Sequence, residues 1–170
     1  QYELAQILFL INEIKNNKLE IFIDIGSHMG IYTLLLSEQV KYVYSFEPLK
    51  KNYNQLKRNI KINNLLNVKY FNIALSDKKK NIDLWVTDIN RSGGYSIYDK
   101  NDEELKKYKL ENISISQSTS DKGDNLLNIS KNKIAIKIDV ERHEEKVLIG
   151  MKKILSQNDV VMQIEIFETR

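Results

Sequence analysis

The stretch FIDIGSHMGIYTLLLS, residues 22–37, constrains the fold more than any other part of the chain. An apolar run carrying Asp24 enters a turn bounded by Gly26 and Gly30, and the turn opens into apolar residues at helical spacing. A strand, a glycine turn and a helix in that order form the cradle in which α/β proteins hold a nucleotide. The glycine spacing excludes one kind of nucleotide. The dinucleotide pattern G-x-G-x-x-G needs glycine at positions 28 and 31, where the chain has His28 and Ile31, so close backbone approach to a pyrophosphate is not provided. A ligand without a pyrophosphate is favoured.

The flanking sequence extends the same alternation. Residues 3–15 set Leu4, Ile7, Leu8, Ile11 and Ile14 on one helical stripe, and a polar break leads to a strand over 21–25. After the turn, Ile31, Leu34 and Leu35 predict a helix, and 41–46 reads as a second strand. Pro48 marks a helix start, and Tyr53, Leu56 and Ile60 carry that helix to about residue 63. Further strands are expected over 68–74 and over 82–87, the latter as one arm of a hairpin. The middle, from Arg91 to Lys122, is rich in Ser, Thr and Asn around Gly93-Gly94 and reads as a long mobile loop with a short helix at DEELKKY. Order resumes with a strand over 134–140, a helix over 144–155 and a last strand over 160–167. This alternation predicts an α/β, Rossmann-like, doubly wound and mostly parallel sheet, with its ligand outside the carboxyl ends of the strands.

Composition narrows the function. At 170 residues, 42% hydrophobic and 29% charged, the chain is a single globular domain over 1–170. The absence of cysteine excludes a disulfide framework and thiolate metal sites. A net charge of +3 from scattered residues gives no footprint for nucleic acid, and KKNYNQLKR and SDKKKN read as a solvated helix face and a turn. No apolar run reaches the roughly 20 residues of a membrane span. The default expectation is a cytoplasmic protein with neither nucleic acid nor membrane as partner.

The strand-end rule singles out carboxylates. Glu47 lies about 20 residues beyond the first glycine, where an acid accepts hydrogen bonds from both ribose hydroxyls; it also suits a helix start, favoured there by the macrodipole. Lys137 and Asp139 share one face of their strand, with Glu141, His143 and Glu144 following. One reading makes these an ion pair and an acidic helix cap. The other makes Asp139 and Glu141 orient an acceptor, with His143 or Glu144 as base. No metal ion is predicted.

FIDIGSHMGIYT, SFEP, NIALSD, KIDVERHEEKVLIGMKKIL and IEIFE follow one another in that order. In this the chain resembles the FkbM family of S-adenosylmethionine-dependent methyltransferases, whose pattern runs D-I-G-A-N-x-G-x-Y-T, F-E-P, A-L-S-D and K-x-D-V-E-G-x-E. His28 stands where the family usually has asparagine, and Arg142 where it usually has glycine. The resemblance implies S-adenosyl-L-methionine as cofactor and the class I methyltransferase fold. Asp24 and the turn of Gly26, Ser27, His28 and Gly30 would meet the methionine part. Glu47, beside Pro48, would meet the ribose, and the backbone at Ala74 and Leu75 the adenine.

The implied activity is methylation of a hydroxyl on a small-molecule or glycan acceptor. A non-catalytic binding module and, with less support, a nicotinamide oxidoreductase are the alternatives. The same resemblance predicts a domain truncated after the fifth core strand, its C-terminal strand pair missing. The exposed edge would then be covered by the missing part or by a second copy in a homo-oligomer.

Overall fold

The computed structural model describes residues 2–86, 95–97 and 114–166. Helix α1 (Tyr2–Asn17) leads into β1 (Ile21–Ile25), and the glycine turn into α2 (Ile31–Leu36) and a single 3-10 turn, Ser37–Gln39. Then come β2 (Tyr42–Phe46), α3 (Lys50–Ile62), β3 (Val68–Phe71), β4 (Ala74–Leu75), β5 (Lys80–Val86), β6 (Tyr95–Ile97) and β7 (Ser114–Asp121). The chain continues through α4 (Gly123–Leu126), β8 (Lys133–Ile138), α5 (Glu144–Gly150), α6 (Lys152–Gln157) and β9 (Asp159–Ile164).

Five strands form a wholly parallel sheet in the order β3-β2-β1-β8-β9. The chain builds outward from β1 to β3, then returns to lay β8 on the other side of β1. That reversal is the switch point of a doubly wound fold, and at the carboxyl ends of β1 and β8 such folds bind their ligands. Every residue of β1 is buried because helices cover both faces. One face sets Ile21, Ile23, Ile136 and Ile138 against Val147, Met151 and Ile154; the other sets Phe22, Val43 and Ala135 against Leu10, Leu36 and Leu56. Each of the fully buried large side chains contributes roughly 1.5–3 kcal/mol.

Between β3 and β8 the chain builds a second sheet, β4-β7-β5-β6, in which β5 runs antiparallel to both neighbours. Here the structure departs from the expectations. The third strand ends at Phe71, not 74, because Asn72 Nδ2 donates to the carbonyls of Glu47 and Pro48 at 2.9 Å each and turns the chain away. Ala74 and Leu75 pair instead with Ser120 and Asp121. The region expected to be a loop contains β7, whose Ser116, Ser118 and Ser120 give no apolar alternation. Two of its hydroxyls donate to backbone carbonyls of other segments, Ser118 Oγ to Pro48 O and Ser120 Oγ to Lys78 O, both at 3.0 Å.

The helix expected over 144–155 is interrupted at Met151, and Asp124 caps the second piece by accepting Lys153 N and Ile154 N, both at 2.9 Å. Pro48 precedes α3 rather than starting it, since Leu49 is the N-cap. The DEELKKY helix lies outside the described residues.

Candidate active site

The glycine turn closes on itself. Gly26 N and Ser27 N both donate to Phe46 O at 3.0 Å, Ser27 Oγ donates to Asp24 O at 3.0 Å, and Gly30 N donates to Ser27 O at 2.8 Å. Both glycines have positive φ, +77° and +90°. A Cβ at Gly26 would lie 1.8 Å from Asp139 O, and one at Gly30 would lie 2.4 Å from Leu56 Cδ1. Packing against a backbone atom therefore demands glycine at Gly26, whereas at Gly30 the near atom is the end of a side chain that can shift and it is the φ of +90° that favours glycine. His28 takes the left-handed conformation without being glycine, at φ 53°.

Asp24 is fully buried beneath this turn. Its Oδ2 accepts Thr33 N at 3.1 Å and Thr33 Oγ1 at 2.6 Å, and that hydroxyl also meets Ser45 Oγ at 2.6 Å. Asp24 Oδ1 is buried and has no hydrogen-bond partner. Burial raises the Asp24 pKa, against the attraction of Lys137 and the Thr33 bonds. Register aligns Asp24 with Ser45 on one side and Lys137 on the other, and Lys137 with Gln163. A row of polar side chains thus crosses the sheet on the face toward α1 and α2, one layer above Val43, Phe22, Ala135 and Val161.

Glu47 follows β2 and is fully buried. Its Oε2 accepts His28 N and its Oε1 accepts Leu49 N, both at 2.9 Å. The carboxylate therefore ties the glycine turn to the turn before α3, and two backbone donors fix its plane. Beside it, Phe46 and Phe71 stack with ring centres 4.9 Å apart.

At the end of β8, Asp139 Oδ2 accepts Lys137 Nζ at 3.0 Å. Glu141 and Arg142 both have positive φ, 52° and 73°. Burial, then Asp139, Glu165 and Glu144, push the Glu141 carboxyl up to about 7, with Arg142 opposing. Glu165, just past β9, is likewise raised by burial and by Asp139, to which it hydrogen bonds. Glu144 Oε1 accepts Val140 N at 3.4 Å and Arg142 N at 3.2 Å, which closes the strained turn.

His143 is turned elsewhere. It is buried with Nε2 2.9 Å from Ser76 Oγ, and its charged neighbours are Lys146, Lys80 and Asp77. Burial, followed by the two lysines, holds its pKa down at about 4, so the ring is neutral at pH 7.

The fold thus gathers Asp24, the glycine turn, Glu47, Asp139, Glu141 and Glu144 at one edge. It directs His143 toward Ser76 and pairs Ala74 and Leu75 with β7. Thr33 and Asn72 were not expected at the site, and Glu165 was expected only as one of the strand-end residues. Thr33 was legible only as the last residue of GIYT, Glu165 only by its place after a strand, and Asn72 by no signal. Among the described residues, no three His, Cys, Asp or Glu side chains are placed to hold a metal ion. Nor is any described helix long and apolar enough to cross a membrane. A cavity of about 420 Å³ opens at the opposite edge of the sheet, lined by Leu19, Glu20, Val40 and Lys41 among others.

No curated protein matches the chain. Among solved structures, an rRNA methylase from Streptococcus thermophilus is 13% identical, with a TM-score of 0.48 over 86% of this chain and 61% of that one. The YcgJ protein from Bacillus subtilis is 18% identical, with a TM-score of 0.32 over 39% of this chain and 36% of that one. This chain therefore spans less than two thirds of either. A family profile described as the methyltransferase FkbM domain matches residues 24–170. That match begins at Asp24 under the glycine turn and takes in β2, β3, β8 and β9 with all the carboxylates above them; the chain belongs to the FkbM methyltransferase family.

Proposed function

We propose that the chain transfers the methyl group of S-adenosylmethionine to a hydroxyl of a sugar, glycan or small metabolite, with Glu141 as general base. The observation that carries this reading is Glu141 itself. It sits at the end of β8 on strained backbone, among Asp139, Glu144 and Glu165, with its carboxyl raised to about 7. A base is most effective when its pKa lies near the working pH, and strained residues cluster where geometry serves chemistry.

The surrounding residues suit the cofactor. Asp24 Oδ1, buried without a hydrogen-bond partner, is an acceptor awaiting a donor or a cation. Glu47 is held in plane by two backbone donors at the position expected for a ribose acid. The glycine turn would hold the methionine part, Glu47 with Pro48 the ribose, and the segment at Ala74 and Leu75 the adenine.

S-adenosylmethionine supplies an electrophilic methyl group on a sulfonium, so the protein needs no nucleophile of its own. What remains for the protein is aiming, drying and proton removal. Asp139, paired with Lys137, orients the acceptor hydroxyl. Ionised Glu141 would take the acceptor hydroxyl's proton as the methyl group passes from sulfur to that oxygen, the carbon–sulfur bond breaking and S-adenosylhomocysteine leaving. Glu144 serves the turn through its two backbone hydrogen bonds, and His143 holds Ser76.

A labelled-methyl screen over sugars, glycans and hydroxylated metabolites tests the reading. Glu141→Gln should lower product formation by about 10²–10⁴ while leaving cofactor affinity unchanged. Full turnover in that variant, or in Asp139→Asn, would remove the role given to the residue. Cofactor binding without methylation of any acceptor would favour a non-catalytic binding module.

A further inference from the structure

Lys137 takes part in no step of this chemistry. A buried ammonium is costly unless paired, and breaking such a pair destabilises far more than replacing it with apolar residues. Lys137 is 7% exposed. Its Nζ donates to Asp139 Oδ2 at 3.0 Å and to the Gly26 carbonyl at 3.4 Å, and stands 4.8 Å from the centre of the Tyr32 ring. Asp24 attracts it from β1.

These contacts come from separate segments. Gly26 belongs to the glycine turn, Asp139 to the end of β8 and Tyr32 to α2. Gly26 and Asp139 already touch through the backbone, because a Cβ at Gly26 would collide with Asp139 O and because Asp139 N donates to Ile25 O at 3.1 Å. The ammonium spans that same junction. Tyr32 is itself held, its hydroxyl donating to Gln6 Oε1 at 2.9 Å and accepting from Gln163 Nε2 at 3.2 Å. A leucine or methionine at 137 would fill the same space without desolvating a charge, so core packing does not account for the lysine.

We propose that Lys137 is a positioning residue for methyl transfer: its ammonium clamps the Gly26 carbonyl on the cofactor side to the Asp139 carboxylate on the acceptor side, fixing the separation of the two halves of the site. The proposal rests on the methyltransferase reading. It also gives the polar row across the sheet a function, since Asp24 balances the clamp from below and Gln163 steadies Tyr32 beside it.

Two variants test it, Lys137→Met and the more polar Lys137→Gln, each checked for folding by circular dichroism. The first readout is calorimetric binding of S-adenosylhomocysteine. The second is the titration of Glu165, followed by carbon NMR of labelled glutamate carboxyls in the ligand-free protein. Glu165 faces Asp139 and Lys137 from β8 and Glu144 from α5, so it senses the clamp's charge without belonging to it.

A folded variant should bind S-adenosylhomocysteine at least tenfold more weakly than the native chain, with the Glu165 midpoint moved upward. A folded variant that binds within twofold of the native chain would overturn the clamp, whether or not that midpoint moves. Failure of both variants to fold would make Lys137 a residue of fold stability alone and overturn it equally. A native chain that does not bind S-adenosylhomocysteine would instead bring down the methyltransferase reading, and the clamp with it.

Discussion

The backbone N–H of His28 donates to Glu47 Oε2 at 2.9 Å, joining the glycine turn to the end of β2 through a buried carboxylate. The other oxygen accepts Leu49 N at the same distance, so both are matched to donors. Glu47→Gln would set an NH₂ against one of those N–H groups. An unsatisfied buried donor costs about 1–3 kcal/mol, which for a chain of this size lowers the thermal midpoint by roughly 2–10 °C. Calorimetry should also show at least a tenfold loss of S-adenosylhomocysteine affinity. An unchanged midpoint with unchanged affinity would mean that Glu47 holds neither turn nor ligand.

Backbone conformation separates two neighbouring substitutions. Gly26→Ala drives a methyl group into Asp139 O, a backbone atom that cannot move aside without opening the β1 to β8 junction, and we expect no folded protein from it. Arg142→Gly does the reverse. Arg142 holds φ 73°, where a side chain costs about 1–2 kcal/mol. Glycine there should stabilise the chain by about 1 kcal/mol in urea denaturation, after its greater unfolded-state entropy is subtracted. A less stable glycine variant would show that the arginine side chain outweighs the strain.

Glu141 and His143 pull the pH dependence of stability in opposite directions. Glu141 titrates at about 7 against an ordinary 4.5, so between these values the native chain binds more protons than the unfolded chain and stability falls as pH rises. His143 titrates at about 4 against an ordinary 6.5, so there the unfolded chain binds more protons and stability is lost as pH falls. Solvent screening limits the half-buried Glu141 to about 1–2 kcal/mol, whereas His143 contributes about 2–3 kcal/mol. Glu141→Gln removes the first contribution and leaves the second. Urea denaturation at both ends of the range from pH 4.5 to 6.5 should therefore show a steeper acid loss in the variant than in the native chain. Equal slopes would place Glu141 near its ordinary pKa.

The acid and the histidine also mark what could be read from the sequence. The β1 turn was legible because glycines bracket it and apolar period changes across it, and a mostly parallel, doubly wound sheet followed from the alternation of strands and helices with right-handed crossovers. Glu47, Asp139 and Glu141 were legible because a strand end is a position, readable without side-chain directions. The direction of His143 was not. It depends on where Ser76 lies, and Ser76 is placed by a second sheet whose β7 carries serines where apolar residues would announce a strand. Asn72, which diverts β3, acts through one side-chain amide and leaves no periodic trace. The break at Met151 was hidden by an uninterrupted apolar stripe, since Asp124, from a distant segment, caps the second helix.

The account depends on the carboxyl edge of the sheet at β1 and β8 accepting an adenosine that carries an amino acid, and titration calorimetry with S-adenosylhomocysteine and with NAD tests this most directly. We predict saturable binding of S-adenosylhomocysteine at one per chain, weakened by Glu47→Gln, and no heat from NAD. Binding of NAD, or no binding of S-adenosylhomocysteine to the folded chain, would contradict it.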